Sequence, residues 1–153
     1  MPVETEAAPE FELAADDGSI VRLADLHGRK TVLYFYPKDD TPGCIKEACS
    51  FRDAIADYRE RGIEVFGVSP DDVASHRKFR EKYGLNFRLL ADPEHQVAER
   101  YGVWKQKRNY GRTYMGVERT TFVIDEQGRI QKIYPKVSPE QHAAQILADL
   151  DAI

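Results

Sequence analysis

The chain has 153 residues and a mass of 17.5 kDa, of which 42% are hydrophobic and 31% charged. That length suits one domain, and that composition supplies both a core and a hydrated surface, which excludes disorder along the whole chain. Lysine and arginine total 22 against 26 aspartate and glutamate, a net charge of −4, the opposite of what a general polyanion binder carries.

No run approaches the roughly 20 apolar residues that cross a bilayer; the longest, such as Thr31 to Tyr36, are strand-sized. Met1 to Glu10 carries three glutamates among Ala and Pro, unlike a signal peptide with its basic start and apolar middle. We therefore expect a single domain over 1–153 with a loosely ordered stretch 1–10, no membrane partner and a cytoplasmic location. The two cysteines, Cys44 and Cys49, are too few and too close together for a disulfide framework. Any role they have is chemical.

A compact region is expected from Phe11. Ile20 to Leu23 reads as a short strand and Ala24 to Gly28 as a turn of helix. Thr31 to Tyr36 is a β-branched and aromatic run stopped by Pro37, the pattern of a strand buried on both faces. Positions 44, 48, 51, 55 and 58 are apolar or small and step by four and three, which predicts a helix up to Arg61, closed by Gly62. Ile63 to Val68 is a second buried strand, and Ser69-Pro-Asp-Asp starts a helix over about 71–83. Phe87 to Ala91 is a third strand, and Pro93 to Tyr101 a short helix ended by Gly102. Thr120 to Ile124 and Arg129 to Tyr134 flank the turn Asp125-Glu-Gln-Gly128 as an antiparallel hairpin. Ser138-Pro-Glu then opens a last helix with Ile146, Leu147 and Leu150 on its buried face. This alternation predicts an α/β fold with a mixed central sheet flanked by helices, matching the thioredoxin-like architecture.

The segment Pro37 to Cys44 joins the first buried strand to the long helix. With Thr41 as N-cap and Pro42 at N1, Cys44 falls at N3, where free backbone N–H groups and the positive end of the helix dipole gather. A free thiol, with a pKa of about 8.5, is only a few per cent thiolate at pH 7. A helix terminus contributes roughly 0.3 to 1 kcal/mol, rising to about 2 when partly buried, and Asp39 and Asp40 would oppose it if close. A cation is therefore needed, and Arg119, just before the strand at Thr120, is placed to reach the same sheet edge. On an ideal helix, Cα atoms five residues apart lie roughly 8.7 Å from each other. A disulfide needs about 4.4 to 6.8 Å, so Cys44 and Cys49 can bond only if the first turns unwind. Two cysteines with His27, His76, His95 and His142 scattered along the chain do not suggest a metal site.

At these residues the sequence resembles the peroxiredoxins, through Pro37, Thr41 and Cys44 as Pro-x-x-x-Thr-x-x-Cys and through Arg119 before a strand. It is most similar to the bacterioferritin comigratory protein, or peroxiredoxin Q, branch. Phe35 to Cys44, Lys46-Glu-Ala-Cys49, Tyr114 to Arg119 and Thr121 to Asp125 carry that likeness, and Ile45 departs from the small polar residue of many relatives. The resemblance implies a peroxidatic Cys44 and a resolving Cys49. It implies that Thr41 and Arg119 orient the peroxide and that Pro37 shields the oxidised sulfur. The substrates it implies are hydroperoxides and the reductant a thioredoxin-type dithiol, with no metal, haem or flavin cofactor and a monomeric chain.

Three other readings stand beside it. A thioredoxin-like disulfide oxidoreductase would depend on a Cys-x-x-Cys pair, which this chain lacks. A redox-switched binding or chaperone module would use the cysteine pair without turnover. In Trp104 to Tyr114, Lys105, Lys107, Arg108 and Arg112 alternate with aromatics as in single-strand nucleic-acid binders, but a mobile loop beside the active site, with Tyr110 and Tyr114 lining the peroxide approach, explains the segment equally well.

Overall fold

A computed structural model describes residues 2–135 and 137–151; Met1, Lys136, Ala152 and Ile153 of the expected 1–153 domain lie outside the described residues. Nine strands and four α-helices follow in order: β1 (Glu12–Ala15), β2 (Ile20–Arg22), β3 (Lys30–Phe35), α1 (Pro42–Glu60), β4 (Ile63–Ser69), α2 (Val73–Tyr83), β5 (Arg88–Ala91), α3 (Gln96–Arg100), β6 (Trp104–Asn109), β7 (Arg112–Val117), β8 (Thr120–Ile124), β9 (Ile130–Tyr134) and α4 (His142–Asp151). Seven strands form one sheet in the order β2-β1-β5-β4-β3-β8-β9. Strands β3, β4 and β5 run parallel, while β1, β8 and β9 pair antiparallel with their neighbours, which is the mixed, thioredoxin-like sheet that the strand and helix pattern predicts.

Strand periodicity divides the core in two. Leu33 and Phe35 of β3 face a cluster with Phe66, Tyr101 and Phe122, whereas Val32, Tyr34 and Tyr36 face another with Phe51, Tyr58 and Ile146. Because both faces of β3 are covered, its run is apolar throughout rather than alternating. The five positions expected to line α1, 44, 48, 51, 55 and 58, are all buried.

Several expectations are corrected. The first ten residues are not loose throughout: Thr5 N–H donates to the Ile130 carbonyl, Ala8 N–H to that of Gly128, and Ala8 is buried. Strand β1, too short for periodicity to reveal, pairs with both β2 and β5. The last helix begins at His142 rather than at Ser138, and the residues before it are bonded to other elements instead. Val137 N–H donates to the Arg119 carbonyl at 3.2 Å, and Glu140 meets Lys46 at 2.8 Å. Residues 104–114 are not a loop: they belong to a separate two-stranded ribbon, β6 against β7, turning at Tyr110-Gly111. Both turn residues have left-handed backbone, with φ of 51° and 75°, as a tight hairpin turn requires.

Gly67 in β4 marks a close contact inside the sheet. A Cβ there would lie 2.8 Å from the ring of Tyr34, which is itself stacked on Phe51 with centroids 4.7 Å apart and cannot retreat. Gly67→Ala is expected to destabilise the fold by about 1 to 3 kcal/mol, read as a lower urea midpoint at unchanged slope.

Candidate active site

The sheet brings the candidate residues to one edge. Strand β3 ends at Phe35, and its cross-strand partner is Thr120, the first residue of β8. Arg119 therefore sits beside the loop that carries the chain from β3 into α1. Thr41 is the N-cap residue of α1 and Pro42 is N1, so Cys44 occupies N3 as expected, in the first turn and 1% exposed. The Thr41 hydroxyl makes no cap, however. It donates to the Lys38 carbonyl at 2.8 Å, which holds the loop closed on itself.

Arg119 Nη2 lies 3.3 Å from Cys44 Sγ, and Nη1 donates to Glu47 Oε1 at 2.7 Å. One guanidinium thus spans a thiol and a carboxyl from the same helix turn, with the planar donor geometry that lysine lacks. Gly43 makes room for it: a Cβ at that position would stand 3.1 Å from Arg119 Nη2 and 3.8 Å from Pro139. Glu47 was not singled out from the sequence, although its place three residues after Cys44 puts both on one helix face. It is 0% exposed, and its Oε2 has no hydrogen-bond partner among the described residues. Burial pushes its carboxyl up to about 7, against the smaller opposing pull of Arg119. Burial also works to lower Arg119, but Glu47 and Cys44 outweigh it and the net shift is upward. A second cation, Lys107 of β6, is lowered by burial and by Arg119, while Cys44 and Glu118 pull it the other way.

The two aspartates that could have opposed a thiolate are occupied elsewhere. Asp39 is buried, accepting from Tyr36 Oη and, at 2.8 Å, from Ser75 Oγ, and it meets His76 Nδ1 at 2.7 Å. Asp40 accepts from Lys82 and Tyr83, each at 2.8 Å. Asp39, Asp71 and His76 bring ligand-type atoms within 4.8 Å of one another, so His76 is not isolated as the sequence suggested. These atoms are already engaged: Asp71 Oδ2 accepts from Asp39 N–H and Ser69 Oγ, and His76 Nε2 lies 2.9 Å from the Leu90 carbonyl. The cluster clamps the loop to α2 by hydrogen bonds.

Pro37 is half-buried at the start of that loop. Cys49 is a half-buried free thiol within the intact α1, and Cys44 is free as well. Tyr110 does not line the site; at the ribbon tip it is 97% exposed, and Tyr114 is 48% exposed. A buried thiol held against a fixed cation at a helix N-terminus is an arrangement for nucleophilic attack by sulfur.

The AhpC/TSA family profile matches residues 5–133. The chain belongs to that family, in its Bcp or peroxiredoxin Q branch. The Peroxiredoxin Bcp of Bacillus subtilis is 50% identical over 145 residues, covering 95% of this chain and 92% of that protein. A putative peroxiredoxin bcp of Coxiella burnetii is 48% identical, covering 95% and 96%. Among solved structures, Xanthomonas campestris Peroxiredoxin Q superposes with a TM-score of 0.88 at 35% identity, covering 93% of this chain and 90% of that one. The protein is thus a thiol peroxidase.

In this peroxiredoxin, Gly43→Ala should displace the Arg119 guanidinium while leaving α1 helical, since alanine suits helix better than glycine. The expected result is peroxide consumption slowed about tenfold, a change of about 1.4 kcal/mol in barrier, with an unchanged far-ultraviolet dichroism spectrum.

Proposed function

We propose that Cys44 is the peroxidatic cysteine, acting on hydrogen peroxide and organic hydroperoxides. The observation that carries this is the 3.3 Å approach of Arg119 Nη2 to Cys44 Sγ in the first turn of α1. The thiolate attacks one peroxide oxygen, the O–O bond breaks, and hydroxide or alkoxide leaves with the bonding pair. Sulfur keeps the attacked oxygen and its hydrogen as sulfenic acid, two electrons oxidised. Arg119, with Thr41, orients the peroxide and stabilises charge developing along the breaking bond. Pro37 shields the oxidised sulfur.

Cys49 is the resolving cysteine in this reading. Its thiolate attacks the sulfenic sulfur, expels hydroxide and forms an intramolecular disulfide, which the α1 geometry permits only after the first turns unwind. A thioredoxin-type dithiol then exchanges with the disulfide, becoming oxidised while both cysteines return to thiols. The electrons balance without a metal, haem or flavin. An internal resolving cysteine needs no second chain, which supports a monomer. The need for dithiol recycling suits a reducing compartment, which supports the cytoplasm.

Cys44→Ser is expected to abolish peroxide consumption, and Arg119→Ala to slow the first step about 10²- to 10³-fold in stopped flow. Full activity in the serine variant would assign the nucleophile elsewhere. In Cys49→Ser the sulfenic acid should persist and pass more often to sulfinic acid, seen by mass spectrometry as a further 16 Da gain, about one oxygen, on the peptide holding Cys44.

A further inference from the structure

Among the described residues, Glu47 is a charged-type side chain with no exposure, one unpartnered oxygen and a single cation that it shares with Cys44. A carboxylate in such a place is costly unless paired and fully hydrogen-bonded, while a neutral carboxyl is not. The groups around the pair are Cys44 on α1, Arg119 before β8, Tyr34 on β3, Lys107 on β6 and His142 on α4. Of these, Arg119 favours the carboxylate, and the tyrosine and the imidazole are held neutral by burial. Position matters as much as surroundings. Glu47 lies between Cys44 and Cys49, so the unwinding that lets those sulfurs meet draws Glu47 out of its pocket and into water.

We infer that Glu47 is a proton-operated latch on the first turns of α1: protonated, it favours the wound helix, and ionised, it favours the unwound one. The inference rests on the reading above, in which α1 unwinds for resolution. Its sign follows from linkage. A carboxyl whose proton is held more tightly in the wound state stabilises that state fully below its ordinary range, and the stabilisation fades as pH rises to the wound-state value. Resolution should therefore be favoured toward neutral pH. Under acid conditions the sulfenic acid should dwell longer in the wound site, exposed to a second peroxide.

Thiol titration would confuse a rate measurement, and His142, lowered to about 4 by burial, shifts global stability in the opposite direction as pH falls below its ordinary 6.5. The test is therefore local and thiol-free. In Cys44→Ser/Cys49→Ser, amide exchange over residues 43–48, divided by the intrinsic rate, reports opening of these turns. With Glu47 moving from about 7 to its ordinary 4.5, opening should increase about twentyfold from pH 5.5 to 7.5 and level off above pH 8. Adding Glu47→Gln should flatten the profile. Carbon-13 titration of the Glu47 carboxyl in the double serine variant gives a second readout if the glutamine variant does not fold. A midpoint near 7 supports the latch, and one near 4.5 overturns it. A flat exchange profile with Glu47 present also overturns it. Mass spectrometry of the peroxide-treated wild-type chain reports separately on the disulfide. Its presence beside flat exchange sinks the latch alone, whereas its absence sinks the Cys44–Cys49 reading and with it the latch.

Discussion

One guanidinium answers for two acids. Arg119 reaches Cys44 Sγ with one nitrogen and Glu47 Oε1 with the other, and much of the surrounding structure serves to keep it there. The β3–β8 register, Phe35 against Thr120, puts Arg119 at the end of the strand that feeds α1. Gly43 leaves the space that the guanidinium fills, and residues 137–141 close over it, with Val137 bonded to the Arg119 carbonyl. Each of these is a backbone feature, so the position of the charge is set by the fold and not by a flexible side chain alone.

Magnitudes show which effect governs the thiol. At 3.3 Å and an effective dielectric of about 20, a unit charge pair is worth on the order of 5 kcal/mol before desolvation. The helix terminus contributes about 1 kcal/mol. The guanidinium is therefore the larger of the two sources of positive potential at that sulfur. The nearby aspartates could have spent that advantage, but the fold turns both toward α2, one into a buried clamp with His76 and the other onto Lys82 and Tyr83.

Much of this was legible in the chain because it depends on local rules. The period of 44, 48, 51, 55 and 58 is the buried face of α1, Thr41-Pro42 does begin that helix, and the apolar run at 31–36 is an interior strand. What stayed hidden depends on long-range contact. Glu47 gains its place only when Arg119, just before β8, meets it. Strand β1 has four residues and shows itself only through β2 and β5. Ser138-Pro-Glu has the chemistry of a helix start, yet α4 begins only at His142, after a stretch in which Val137 N–H bonds to the Arg119 carbonyl. The ribbon of β6 and β7 is mostly exposed, Lys105, Arg108 and Arg112 included, and strands with so few buried residues leave little alternation to read.

Helix α1 is held by different forces along its length, and the difference suits the motion proposed for it. From Phe51 onward it is fixed by large buried side chains, Phe51 stacked on Tyr34 and Tyr58 bonded to the Ala143 carbonyl at 2.7 Å. Each such side chain is worth roughly 1.5 to 3 kcal/mol of burial, which does not respond to protons or to the oxidation state of sulfur. The first two turns bury only small apolar groups and are held mainly by polar contacts. Lys46–Glu140, more than half exposed on both sides, contributes little, which leaves the contact of Arg119 with Cys44 and Glu47. In the proposed reaction, oxidation of Cys44 to a sulfenic acid changes one of those partners. In the proposed cycle the contact that holds the first turns is thus the one the reaction itself alters, while the aromatic part of the helix keeps the fold in place.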